Sequence, residues 1–429
     1  MKSKSKTYIT SFNFIIAGLV LLLYGSIRFK KLFFGNFANG DEYGFLNIFD
    51  IYLDKGYSEA LSQGSSITFN ATASFFNLFF SNTFLSLRFT SFFFGILTLL
   101  MVLKIQKTFF PLTKNYFLLL IITILNILIV SSVIFVGIND TILYFLATVF
   151  VFLVLNYQRD IKTFKFSLYL GLLFGIMLLT RKITIFYLPS IVIILLMLYK
   201  NLKIKTPLIF KSLSIVIVFS TITVILFNLP NLTTGKGISF HEKKLDNEIS
   251  WSQLQYLTAI KHSNGEVKYG QHVSVDEVKQ YITKNGEKSL PGKSFVNTIY
   301  YDIPFTIKDF FYDLFSQIKP ITRLSGLIIV FFILILSVVK KISIFHRYLI
   351  VFFFTFVSTL CFIIISYVEP RWYLGALMLV LVPLYNILQD FSNNKNKRDK
   401  LNFIFINVQL LFIVTINLPY IISNYKLLL

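Results

Sequence analysis

The 429 residues include only twenty acids, so the position of each one is informative. Asp41, Glu42, Asp50, Asp54 and Glu59 share one early stretch, ten more lie between Pro230 and Pro320, and Asp140 and Glu369 stand alone at the ends of apolar runs. Carboxylates transfer protons or bind cations, and an ionisable group at the edge of a hydrocarbon layer is costly unless it faces a protein interior or a water-filled cavity. The sharpest element is the adjacent pair Asp41-Glu42, preceded by Asn39-Gly40. A glycine there permits a turn that presents a carboxylate as general base or metal ligand, and the same pattern also suits the solvated first turn of a helix. The candidate cations are Arg181, Lys182 and Arg371, since guanidinium groups bind phosphate oxygens bidentately. Arg181-Lys182 fits snorkelling to headgroups equally well, and Asp140 fits a substrate hydroxyl, an ion pair or a helix cap. Glu369 and Arg371 are near enough to pair across Pro370. Arg88, inside an apolar run, needs a partner and is expected to find one among the first-loop acids. His241, His262 and His272, near Glu242, match no compact metal-ligand spacing.

The elements that must hold these groups are membrane helices. The chain is 55% hydrophobic and 14% charged, against about 25% charged in soluble proteins, which excludes a soluble enzyme. Apolar runs of spanning length lie near 12–27, 84–103, 115–136, 141–157, 166–179, 183–199, 208–229, 321–339, 348–367, 372–390 and 401–421, about eleven in all. Alternating sides from a cytoplasmic N-terminus puts twenty of the forty-one basic residues on the inside with only three acids, Asp160, Asp390 and Asp399. The formal charge of +21 is therefore a record of topology, and no nucleic-acid partner is implied. One feature disagrees: Arg28, Lys30 and Lys31 follow the first span on the outer side. The single cysteine, Cys361, sits in an apolar run and offers neither a disulfide framework nor a metal site.

Two outer segments exceed tight turns. The first, 28–83, carries Phe45, Ile48, Phe49, Tyr52 and Leu53 at helical spacing, the pattern of an amphipathic helix along the membrane. The second, 231–320, is polar enough for a small outer subdomain. Within it Ser274-Val-Asp-Glu277 reads as a capping box, and Phe305 to Ile318 as an amphipathic helix returning to the membrane. The chain thus divides into an N-terminal membrane module (1–230), the outer subdomain (231–320) and C-terminal membrane helices (321–429).

Several patches carry a family resemblance, in order along the chain. They are Asp41-Glu42 opening the first outer loop, Gly56-Tyr57, and Phe84-Leu-Ser-Leu-Arg88-Phe-Thr-Ser-Phe-Phe-Phe-Gly95. Asn139-Asp140, Gly171-Leu-Leu-Phe-Gly175-Ile-Met-Leu-Leu-Thr-Arg-Lys182, and Glu369-Pro-Arg371-Trp-Tyr373 with Pro383 follow. Together they resemble the GT-C superfamily of lipid-linked sugar transferases, and within it the family 39 branch that includes protein O-mannosyltransferases and aminoarabinose transferases. The likeness covers roughly 40–200 and 345–390. It departs in lacking a proline-rich stretch between Gln63 and Phe76 and in placing Trp372 between Arg371 and Tyr373.

The resemblance implies an all-α polytopic fold, a GT-C-like helix bundle, in a plasma membrane with its site on the extracytoplasmic face. It implies transfer of a sugar from a polyprenyl-phosphate donor to a lipid, glycan or protein hydroxyl. Asp41 then matches the catalytic base, with Glu42 orienting it or raising its pKa; Asp140, Arg181, Lys182, Arg371 and Tyr373 match the substrate-binding set. A divalent metal is left open, since some branches use one. Two other classes fit the composition: a surface-polysaccharide polymerase or ligase, whose arginines would lie in the large loop, and a transporter or flippase, which would show repeated halves.

Overall fold

The computed structural model describes residues 2–35, 40–156, 163–203, 206–240, 249–292, 294–331, 342–363, 365–391 and 395–427. Among the described residues 84% are helical and none is in a strand. Helix α1 (Lys2–Arg28) runs on into a π-helical turn, Phe29–Phe33. The first outer loop then folds as α2 (Gly40–Lys55), α3 (Tyr57–Ser62) and α4 (Ile67–Phe80). Next come α5 (Thr83–Phe109), α6 (Lys114–Ser131), α7 (Asp140–Asn156), α8 (Thr163–Thr180), α9 (Leu188–Asn201) and α10 (Thr206–Thr233). The stretch expected to be the second outer segment holds α11 (Trp251–Ser263), α12 (Val275–Asn285), α13 (Phe295–Tyr301), α14 (Ile303–Ser316) and α15 (Ile318–Ser325). Helices α16 (Ile344–Ile363), α17 (Leu374–Gln389) and α18 (Lys395–Asn424) complete the chain.

Among the described residues, seven stretches are long and apolar enough to cross a bilayer: Tyr8–Phe33, Thr83–Phe109, Lys114–Ser131, Lys182–Asn201, Pro207–Thr233, Ile344–Ile363 and Arg398–Asn424. The protein is a multi-pass, all-α membrane protein. Three further expected spans are shorter apolar helices, Asp140–Asn156, Phe164–Thr180 and Leu374–Gln389. At about 1.5 Å rise per residue each covers roughly 25 Å, less than the ~30 Å hydrocarbon core. The expected span near 321–339 begins within α15, which ends at Ser325, and its part beyond 331 lies outside the described residues. Helix α17 is the hub of the bundle, flanked by α5, α6, α7 and α16. Its residues Leu377 to Val382 are all fully buried, which is why its sequence is apolar on every side.

The Gly171 and Gly175 spacing has a packing origin. A Cβ on Gly171 would lie 2.8 Å from the Val216 carbonyl oxygen, and one on Gly175 would lie 2.7 Å from Thr223 Cβ. Two small residues four apart thus let α8 lie directly against the backbone of α10.

The outer segment has a small core of its own, with Leu254, Tyr256, Leu257, Val273 and Val278 closed over by Ile365 from beyond α16. The capping box at Ser274 is formed: Ser274 Oγ accepts from the Glu277 amide at 3.2 Å, and Glu277 Oε2 accepts from the Ser274 amide at 2.8 Å. Helix α14 is amphipathic in the inverse sense of a soluble helix. It buries Thr306, Asp309 and Asp313 and exposes Ile307, Phe311 and Phe315, as an interfacial helix does when its apolar face meets lipid. Burial pushes the Asp309 carboxyl up to about 7. Burial, followed by the neighbouring Asp309 charge, pushes Asp313 up to about 8.

Two measurements follow from this packing. Gly175→Val forces α8 off α10 and is expected to cost about 1–3 kcal/mol, read as a lower melting temperature in detergent with Gly175→Ala less affected. The acid pair has folded pKa values above the unfolded range of about 4, so its stabilising contribution is complete below that range and is lost as pH rises through about 7 and about 8. The melting temperature should therefore fall between about pH 5 and about pH 9, and Asp313→Asn should flatten that slope.

Candidate functional site

The site begins with a buried ion pair. Arg88, one turn into α5, has no exposed surface, and neither does Glu42 in the first turn of α2. Arg88 Nε donates to Glu42 Oε1 at 2.7 Å and Nη2 donates to Oε2 at 2.9 Å, while Nη1 donates to the Gly35 carbonyl at 3.1 Å. The Phe84 ring lies 3.7 Å from the guanidinium carbon, adding a cation–π contact. The Gly137 amide also donates to Glu42 Oε1 at 2.6 Å. A Cβ at Gly137 would lie 2.8 Å from Leu87 Cβ, so only glycine lets this turn approach closely enough. The expected partner of Arg88 among the first-loop acids is thus Glu42. The Glu42 carboxylate faces inward, engaged at both oxygens, and is not among the residues that line the cavity. Gly40 is the first residue of α2; Asn39 lies outside the described residues.

Asp41, one residue earlier, points elsewhere. Its Oδ2 accepts from Arg371 Nη2 at 2.5 Å, and the carboxylate is about one-third exposed, at 32%. Arg371 is a hub: Nη2 also donates to Glu369 Oε1 at 3.1 Å, Nε donates to Glu369 Oε2, and Nη1 lies 3.8 Å from Asp140 Oδ2. Arg181 Nη1 donates to Asp140 Oδ1. Burial alone would lower the Arg371 pKa, but the charges of Asp140, Glu369 and Asp41 outweigh it and hold the guanidinium well above its usual value. The expected pairing of Glu369 with Arg371 is present, and it does not prevent Arg371 from also reaching Asp41.

Local folding explains how these groups meet. Helix α8 stops at Thr180 because Arg181 is extended (φ −160°, ψ 131°). The Thr180 carbonyl, left without a helical donor, accepts from Ser66 Oγ at 2.8 Å and Asn139 Nδ2 at 2.6 Å; such orphan carbonyls at a helix end need outside partners. The start of α4, the end of α8 and the residue before Asp140 are thereby tied together. On the other side, the Tyr144 hydroxyl of α7 donates to the Arg371 carbonyl.

Asp41, Arg181, Lys182, Glu369 and Arg371 line a cavity of about 750 Å³, the size range of small-molecule sites. Asp140, at 1% exposure, sits behind its two arginines. Tyr373 is fully buried, and its hydroxyl donates to Gln317 Oε1 at 2.8 Å. Three lining groups had no place in the sequence-based site. Trp251 and His272 of the outer segment stand 5.8 Å apart between ring centres, and His272 is 4.8 Å from Tyr367. Burial, then the Glu369 charge, pushes the Tyr367 phenol up to about 12, which keeps it a neutral hydroxyl. Leu32, Phe45, Ile48, Val133 and Ile183 give the same cavity an apolar side. Of the three loop histidines, His241 lies outside the described residues, and His262 meets Tyr269 and Tyr312 edge to face, with ring centres 5.5 and 4.9 Å away. Among the described residues no group of three His, Cys, Asp or Glu side chains is arranged to hold a metal.

No protein-family model matches the chain, and no curated protein matches it. The class established by the fold is that of an all-α, multi-pass membrane protein with a charged cavity at one end of its helices.

Breaking the buried pair from one side strands a charge. Glu42→Leu and Arg88→Met are each expected to destabilise the protein by about 3–5 kcal/mol, with the double variant Glu42→Leu/Arg88→Met recovering part of that loss. Thermal unfolding of the four proteins, run as a double-mutant cycle, measures the coupling.

Proposed function

We propose that this protein is an integral membrane glycosyltransferase of GT-C type, transferring a sugar from a polyprenyl-phosphate donor to an acceptor hydroxyl on the extracytoplasmic side of the plasma membrane. The observation that carries the reading is the Asp41 carboxylate, held at 2.5 Å by Arg371 on the wall of a cavity with one apolar side and one aromatic and polar side. A lipid-linked sugar needs both: apolar surface for the first isoprene units and hydroxyl-binding groups for the sugar. The outward-facing assignment is supported by the helix ends remote from the cavity, where Lys104, Lys107, Lys114, Lys200, Lys203 and Arg347 collect.

In the proposed reaction Asp41 takes the proton of the acceptor hydroxyl as its oxygen attacks the anomeric carbon. The bond from that carbon to the phosphate oxygen breaks, and the lipid phosphate leaves with the bonding pair, with inversion at carbon. Arg371 aims Asp41, and Arg181 and Lys182 give the departing phosphate a cationic surface. Asp140 fixes the spacing of Arg181 and Arg371. Trp251, His272 and Tyr367 offer flat apolar faces with polar edges, suited to a sugar or acceptor ring.

Replacing Asp41 by Asn preserves shape and removes the base. Transfer of labelled sugar from a polyprenyl-phosphate donor should fall by about 10²–10⁴-fold at unchanged membrane level. Full activity in Asp41→Asn would remove the base assignment.

A further inference from the structure

We propose that Arg28 is a further ligand of the phosphate of an isoprenyl lipid, adding from the α1 side of the cavity the positive charge that Arg181 and Lys182, already balanced by carboxylates, do not supply. The identity of the lipid rests on the glycosyl-transfer reading; the anion site itself does not. Three carboxylates, Asp41, Asp140 and Glu369, already pair with Arg181 and Arg371, and Lys182 is the third cation of the group. That cluster is neutral as it stands, and its two guanidinium groups are engaged with carboxylates. An incoming phosphate adds negative charge that a neutral cluster does not balance.

Arg28 is the remaining guanidinium on the cavity wall. Among the described residues no carboxylate pairs with it. It is positioned by other means: Nη2 donates to the Tyr24 hydroxyl at 3.1 Å, and the guanidinium carbon sits 4.6 Å from the Tyr420 ring centre. Tyr24 and Tyr420 are themselves packed edge to face at 4.3 Å. A phenol oxygen and a ring face fix a cation without neutralising it, leaving its charge for a ligand. The location also suits a lipid. Arg28 ends α1, and the π-helical turn that follows packs on the α6–α7 connection, with Phe29 and Phe135 ring centres 6.2 Å apart. Leu32 and Val133 there extend the apolar lining of the cavity. Lys30 and Lys31, both exposed, continue the basic run. This run is the one feature that opposed the positive-inside assignment, and an anionic lipid ligand on the outer side accounts for it.

The test uses the full chain in phosphatidylcholine nanodiscs and reads tryptophan emission. Both tryptophans of the chain, Trp251 and Trp372, line the cavity. Farnesyl phosphate should change the emission saturably, farnesol and inorganic phosphate far less. Arg28→Gln should weaken farnesyl phosphate binding by roughly tenfold or more, and Arg28→Lys by less, with melting temperatures of both variants near the wild type. Equal binding of farnesyl phosphate by Arg28→Gln and wild type overturns the proposal, as does farnesol binding as tightly as its phosphate. If phosphatidylglycerol in the disc competes with farnesyl phosphate through Arg28, the bilayer headgroup is the phosphate source and the assignment to an isoprenyl lipid is overturned. Since no sugar is transferred in this assay, its failure leaves the role of Asp41 standing, and inactivity of the glycosyltransferase reading leaves the binding result standing.

Discussion

A guanidinium with no exposed surface must be neutralised where it lies, and Arg88 meets that requirement through Glu42. The pair spans from α5 to the first turn of α2, and the Gly137 amide joins it from the α6–α7 turn. Three elements distant in sequence are thus fixed at one point. Consecutive residues on an α-helix project about 100° apart, so anchoring Glu42 inward turns Asp41 toward the neighbouring space. The adjacent acids divide their work for this reason: one sets the position of the helix and the other faces the cavity.

The second constraint is where helices end. Asp140 begins α7, Arg181 follows α8 and Arg371 precedes α17, and these are the three shorter apolar helices of the chain. Chain that would otherwise continue toward the membrane surface is instead used as the turns at 132–139, 181–187 and 365–373. Charged groups on such turns sit at the mouth of the bundle, shielded from lipid by longer helices, and they satisfy one another there. Arg371, in contact with three carboxylates, is the group through which α2, α7 and the segment before α17 meet.

Much of this was legible in the sequence, for identifiable reasons. A bilayer imposes a length on each apolar run, so most of the helices could be placed from hydropathy. The cost of a charge in hydrocarbon required a partner for Arg88 and drew Asp140, Arg181 and Arg371 to one end. Sequence did not decide which first-loop acid would pair with Arg88, because Asp41 and Glu42 differ by one helical step and either carboxylate satisfies a guanidinium. Nor did it bring Trp251 and His272 to Tyr367, a contact across about a hundred residues with no charge or spacing to signal it. Helix α14 was legible as amphipathic, but not which face is inward. In a membrane protein the apolar face goes to lipid, and the acids Asp309 and Asp313 go in.

The buried acids bear on the cavity through a continuous chain of contacts. Asp313 lies beside the Tyr269 hydroxyl, which accepts from Gln317 Nε2 at 3.0 Å and the Val368 amide at 3.3 Å. Gln317 in turn accepts from Tyr373 at 2.8 Å and donates to the Val368 carbonyl at 3.1 Å. Val368 precedes Glu369, and Arg371 follows two residues later. The backbone that carries the Arg371 hub is therefore braced from behind by a polar network rooted in the outer segment, whose other residues, Trp251 and His272, form the facing aromatic wall. The outer segment is thus part of the device that positions Asp41: it supplies one wall of the cavity and supports the residue that holds the carboxylate on the other.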